Sequence, residues 1–252
     1  MIGDLLLLSG NDVPFKEAQL SIHQPTIKEI AYIGEEAFFT GCELLNFSKD
    51  VLSPEDKSHL EDKSNFEVFM SIMKDKKTVA IQNNRISAML VLTLMFPSYQ
   101  ISVLKEQIAF VKEEEEGLEK EMHFIDKNNF EHFKEILVSI FCLKRNKDDK
   151  QNYNPQGERA RALAEKLRKG REKAAAAKNE SKKISVLSRY ISILTVGEKK
   201  DMNDLLRLTV YQLFDEFERF ELKQSYDVYF EAKLAGAKDI DEVDNWMKEI
   251  HP

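Results

Sequence analysis

Apolar residues along this chain recur mostly at helical spacing, interrupted in a few places by the two-residue alternation of strands. Near the start, Leu5 to Leu8, and then Ala18, Leu20 and Ile22 alternating with Gln19, Ser21 and His23, read as two strands over residues 4–8 and 17–22. Ser9-Gly10-Asn11-Asp12 and Pro14 lie between them as a turn-rich break that closes a hairpin. The period then lengthens. Thr26 stands three residues before Glu29, the spacing of a capping box, and Ile27, Ile30, Ile33, Phe38, Leu44 and Leu45 predict a helix to about Asn46, weakened at Gly34 and Gly41. Ser53-Pro54-Glu55-Asp56 is another helix start, and Val68, Phe69, Ile72 and Met73 give a short amphipathic helix after Asn65. Residues 85–96 read as a buried helix, although Val91 to Leu94 fits a strand equally well. Between Gln107 and Ile125 apolar residues flank the acidic run Glu113 to Glu116 and Gly117, which predicts a hairpin.

Helical spacing returns with Phe130, Phe133, Ile136, Leu137, Ile140 and Phe141. After a polar stretch, Pro155 opens a segment running through Ala177 that is rich in Ala, Arg, Lys and Glu and has few apolar positions to bury. Val186, Leu187, Tyr190, Ile191 and Leu194 form a short apolar helix stopped by Gly197, and Thr209 with Gln212 makes a second capping box. The helix that follows is predicted to reach Leu234, with Gly236 as its stop, and carries an aromatic row, Tyr211, Phe214, Phe217 and Phe220, recurring every three residues. Trp246 and Met247 sit on a terminal turn expected to fold back onto it. These elements predict a predominantly helical α+β protein in three parts. Residues 1–143 form a mixed domain with small hairpins and helices, residues 144–183 a charged basic connector helix, and residues 184–252 an all-helical C-terminal domain.

Charge sharpens this division. The 252-residue chain has 37 basic and 44 acidic residues, a net charge of -7, which argues against wholesale wrapping of nucleic acid. Residues 144–183 hold 14 basic and 6 acidic residues, so this stretch is near +8 and the remainder near -15. Within it Arg161, Lys166, Arg168, Lys169 and Arg171 are candidate contacts for phosphates or for an acidic partner. Glu158, Glu165 and Glu172 interrupt them at spacings that favour internal ion pairs, and the helical segment from Pro155 to Ala177 has no aromatic for base stacking, so nucleic acid is the weaker of these partners.

Candidate chemistry adds little. The histidines, His23, His59, His123, His132 and His251, are scattered without metal-ligand spacing, and no glycine-rich phosphate loop or Gly-x-Ser-x-Gly turn occurs. Cys42 and Cys142 each lie among apolar neighbours and read as buried thiols in a reducing compartment. The Asp4 to Leu8 run is too short for a signal peptide and lacks its basic start, and no apolar stretch has the length of a membrane span. No catalytic residue, metal or cofactor is expected. The aromatic row and Trp246 remain as candidate partner-binding residues, with internal packing as the competing reading of the row.

Several segments carry a resemblance. Ile22-His23-Gln24-Pro25-Thr26-Ile27-Lys28-Glu29-Ile30, followed by Ile33-Gly34-Glu35, resembles the opening segment of proteins from the morphogenesis clusters of tailed bacteriophages and prophages of Gram-positive hosts. Leu208 to Asp215, Asp227-Val228-Tyr229, Ala232 to Ala237 and Asn245-Trp246-Met247-Lys248 resemble the same group more strongly. Proteins of this appearance are similar to tail assembly chaperones, which engage the tape-measure protein and keep its hydrophobic helices soluble until the tail tube polymerises. The resemblance implies a non-enzymatic protein of the host cytoplasm whose partner is a tape-measure or other tail protein. The alternatives are a structural virion component, such as a baseplate or tail-associated protein, and a nucleic-acid-binding packaging factor acting through the basic helix.

Overall fold

Two capping boxes anchor the architecture. Thr26 accepts from the Glu29 amide at 3.3 Å while the Glu29 carboxylate accepts from the Thr26 amide at 2.7 Å, and the helix α2, Ile27–Ile33, starts there. Thr209 and Gln212 repeat the arrangement at the start of the longest helix, with distances of 3.3 and 2.8 Å. The two caps lie side by side. Thr26 and Thr209 form an antiparallel bridge, and the Ile27 amide donates to the Leu208 carbonyl at 2.8 Å. These features belong to a computed structural model of the chain, which describes residues 2–49, 60, 62–74, 79–112, 121–143, 185–236, 243 and 245–248.

In chain order the described elements are α1 (Asp4–Ser9), β1 (Val13–Phe15), a 3-10 turn (Lys16–Ala18), β2 (Leu20–Ile22), α2 and α3 (Glu35–Leu45). Next come α4 (Asn65–Lys74), α5 (Val79–Met95), β3 (Gln100–Val103), β4 (Ile108–Val111), β5 (Met122–Ile125) and α6 (Phe130–Ile140). The chain then continues through α7 (Val186–Gly197), α8 (Met202–Leu206) and α9 (Val210–Leu234). β1 and β2 pair antiparallel with Val13 opposite Ile22, and β3, β4 and β5 form an antiparallel three-stranded sheet in sequential order. The fold is thus predominantly helical α+β with two small antiparallel sheets.

The first sequence-predicted hairpin needs correction. Residues 4–8 are helical, because a run of leucines, which are not branched at Cβ, favours a helix and Gly10, at φ 69°, supplies the left-handed cap that ends it. The strand partner of β2 is instead Val13–Phe15, where Val13 and Phe15 point inward on either side of exposed Pro14. The long helix predicted over Thr26 to Asn46 is divided at Gly34, whose φ of 87° no helical residue adopts. Residues 85–96 fall within the helix α5 and its end, so the alternative strand at Val91 to Leu94 is not formed. The predicted hairpin over Gln107 to Ile125 is present as β4 and β5, and β3 adds a third strand beside it. The helix start at Pro54 and the Glu113 to Glu116 tip lie outside the described residues.

Packing centres on the crossing of α3 and α5. Gly41 sets its closeness: a Cβ built there would lie 2.4 Å from the Ser87 carbonyl oxygen and 2.7 Å from Val91 Cγ2. Around this crossing sit Phe38, Leu45, Ala88, Val91 and Leu92, all fully buried. Aromatic rings extend the core on both sides. Phe38 meets Phe141 edge-on at 4.9 Å, Phe69 stacks on Phe130 at 5.0 Å, and Phe96 leans on Phe110 at 4.5 Å. One contiguous apolar cluster joins these residues to Leu187, Ile191, Leu194, Leu205, Val210 and Leu213 of the C-terminal helices. Cys42 is buried, and burial also pushes the Cys142 thiol up to about 12, so neither thiol is activated as a nucleophile.

Candidate interaction surface

The C-terminal helices are held from the N-terminal side by one carboxylate. Glu35, the first residue of α3, accepts the Val186 and Leu187 amides at 2.6 and 3.3 Å and the Ser185 hydroxyl. Three otherwise orphaned donors at the start of α7 are thereby satisfied by a negative charge at the positive end of that helix. Gln212 reaches back to the Leu8 carbonyl at 2.7 Å, and the capping bridge at Thr26 adds a third attachment.

α9 divides into two halves with different surroundings. In its first half, Tyr211 and Phe217 are buried, while Phe214 and Phe220 are half-buried against the core. Tyr190 of α7 stacks face to face on Phe217 at 3.7 Å and meets Phe214 edge-on at 5.2 Å. Phe220 lies over Gly197, where a Cβ would come within 2.4 Å of its ring. The Tyr211 phenol is pushed up by burial, with Asp4 and Asp215 nearby and a hydrogen bond to Asp4. Lys200 spans Glu198 at 3.2 Å and Glu216 at 2.8 Å. Burial works against its charge, but the two hydrogen-bonded carboxylates prevail and hold it above the usual lysine range.

The sequence-predicted aromatic row is therefore brought together as expected, and its rings face α7 and the core of the same chain. Trp246 is half-buried, and Arg219 donates to its carbonyl at 2.6 Å and to that of Lys248 at 2.7 Å. The terminal turn thus folds back onto α9, as its sequence suggests. Arg161, Lys166, Arg168, Lys169 and Arg171 lie outside the described residues.

Beyond Phe220 the helix keeps apolar residues but loses most of its cover. Leu222, Tyr226, Phe230 and Leu234 follow at intervals of four, which places them along one side of α9. Phe230 is 51% exposed and Leu234 75% exposed. Tyr226 and Phe230 stack along the helix at 6.2 Å, and the Lys233 ammonium lies 5.4 Å from the Tyr229 ring. An ion pair from Lys223 to Asp227 at 2.7 Å supports the same half. A sequence reading that stops at Phe220 misses this outer row; its signal is an apolar residue at every fourth position from Leu222, past the point where charges become frequent.

Among the described residues, no three His, Cys, Asp or Glu side chains gather as a metal-holding group. No described helix is long and apolar enough to cross a membrane. The arrangement is that of a helix fixed at one end and presenting rings at the other. Residues 177–251, which contain α7, α8, α9 and the terminal turn, match the family described as the YomV second domain. That family is of phage and prophage type, which is consistent with a phage protein. No curated protein and no solved structure matches the chain.

Proposed function

We propose that this chain is a non-enzymatic phage tail morphogenesis protein of the tail assembly chaperone type, working in the host cytoplasm. It holds helical segments of a tape-measure protein against the outer half of α9. The observation that carries this reading is the row ending in exposed Phe230 and Leu234, with half-buried Leu222 and Tyr226 at its inner end, on a helix whose first half is packed into the core. Apolar anchors spaced by four are what one helix offers another, and a partner helix would bury them in the same way that α7 buries Phe217. The phage-type match of residues 177–251 supports the setting, and the net charge of -7 favours solubility of a loaded complex. In the first half of the row, Phe214 and Phe220 are the rings a partner reaches at their exposed edges, while Tyr211 and Phe217 hold the helix in place.

The test is co-expression with the tape-measure protein. The wild-type chain should raise the soluble fraction of that partner, and a Phe230→Asp, Leu234→Asp double variant should fold normally and lose the effect. Purified particles analysed by mass spectrometry should lack the chain, whereas a stoichiometric presence would make it a virion component. No gain in partner solubility with the wild type, or an undiminished gain with the variant, would remove the proposal.

A further inference from the structure

A groove of about 470 Å³ opens where the end of α4, the face of α5 and the β3–β4 turn meet, on residues distinct from the α9 row. Its floor is apolar, formed by Met73, Met89, Val103 and Leu104, the last of these 42% exposed. Its rim is cationic: Lys74, Arg85 and Lys105 line it, and among the described residues no carboxylate does. Lys74 donates to the Lys105 carbonyl, which ties the end of α4 to the strand turn and keeps the two ammonium groups on one edge. Among the described residues, none of the three cations forms an ion pair. Three positive charges line one groove on a chain of net charge -7, a local reversal of sign.

We infer that this groove docks an acidic amphipathic helix of a partner protein. The apolar floor calls for apolar side chains, and the half-buried thioether of Met89 adapts to whichever residue enters. The rim calls for carboxylates flanking that residue. Both demands are met at once by a helix with leucine-type anchors and glutamates beside them at spacings of three and four. With Lys74, Leu104 and Lys105 exposed, the groove is an open channel rather than an enclosed cavity, which suits a polymer segment. Past Lys74 and Lys105 lies a second hollow of about 360 Å³ whose lining includes the carboxylates Glu67, Glu106 and Asp126, so an acidic helix is confined to the first groove.

The experiment titrates the full chain into a fluorescein-labelled synthetic helix of leucine and glutamate, about four turns long, and reads anisotropy. Two further helices serve as controls, one with lysine in place of glutamate and one with serine in place of leucine. The leucine–glutamate helix should bind more tightly than either control. An Arg85→Glu, Lys105→Glu variant, and separately Leu104→Asp, should each weaken it at least tenfold while circular dichroism stays unchanged. Arg207→Glu, at an exposed site on the end of α8, should leave it as it was. If Leu104→Asp alters the fold, Arg85→Gln replaces it and should weaken binding several-fold. Binding that ignores the groove variants would place the peptide on the basic segment 144–183, and equal loss with Arg207→Glu would mean diffuse attraction. Either result, or no binding at all, overturns the inference. So would self-association that the groove variants abolish without peptide binding, which would make a second copy the occupant. Decanoate binding in the groove without peptide binding would make the occupant a small amphiphile and would equally overturn it.

Discussion

Gly41→Ala is the sharpest probe of the α3–α5 crossing. In isolation the substitution favours a helix by about 1 kcal/mol, because alanine loses less backbone freedom than glycine. The crossing opposes this. The new Cβ would stand 2.4 Å from the Ser87 carbonyl oxygen, 2.7 Å from its carbon and 2.7 Å from Val91 Cγ2. Carbon–oxygen contacts settle near roughly 3.3 Å and carbon–carbon contacts near about 3.5–4.0 Å, so the deficit approaches ~1 Å on every side. Two of the three opposing atoms belong to the backbone of α5 and cannot rotate away. Relief therefore requires the two helices to part, loosening Phe38, Leu45, Ala88 and Leu92, which are fully buried there. Overpacking of this kind costs typically about 1–3 kcal/mol, and a backbone clash belongs at the upper end. After the propensity gain, the net loss is about 2 kcal/mol, or a melting temperature lower by roughly 4–8 °C for a chain of this size. Urea unfolding followed by circular dichroism measures it, with an unchanged slope and a lower midpoint. A variant as stable as the parent, or more stable, would show that propensity governs this site and that the close crossing is not maintained in solution.

Three further outcomes can be checked on the same protein. Glu35→Ala should cost about 2 kcal/mol, since it removes charge-assisted hydrogen bonds to the start of α7, with Glu35→Gln losing less; equal midpoints for Glu35→Ala and wild type in urea would contradict the clasp. Glu29 is penalised by burial, but hydrogen bonds from the Thr26 amide and hydroxyl prevail and hold its carboxyl below the usual range. Its contribution is therefore present above the unfolded value of about 4.3 and lost as pH falls through the lower folded value; Glu29→Gln should flatten that acid limb, and an unaltered limb would refute the assignment. Phe217→Ala should cost about 3–5 kcal/mol and Phe217→Asp should abolish folding, because the ring is buried against Tyr190; a folded Phe217→Asp chain by near-ultraviolet circular dichroism would place the ring outside the core.

What could be read from the sequence was local. The boxes at Thr26 and Thr209 depend on four consecutive residues, so their spacing alone locates the starts of α2 and α9. The stop at Gly197 and the β4–β5 hairpin were legible for the same reason. Gly34 and Gly41 look alike in one dimension. One breaks a helix through its own backbone angle and the other permits a close approach, a difference set by Ser87 far along the chain. β3 escaped notice because it is four residues long and only half-buried, and its place beside β4 comes from pairing rather than from pattern. The aromatic row shows the same limit at the candidate surface. Helical spacing shows that a face exists, while Tyr190 and Gly197 determine which rings it covers. The basic groove could not be read at all, since Lys74, Arg85 and Lys105 meet only after the strand turn has formed.

The attachments of Leu8, Ile27 and Glu35 to Gln212, Leu208 and Val186 bear on how the chain leaves the ribosome. Their partners lie 151 to 204 residues downstream in the two outermost cases. The amino-terminal helices must wait, partly uncovered, until α7 to α9 have been synthesised. Truncation after α6 would leave Leu7, Ile27 and Ile30 without their late-arriving cover, and nascent chains of that length are where aggregation or capture by cellular folding factors should concentrate.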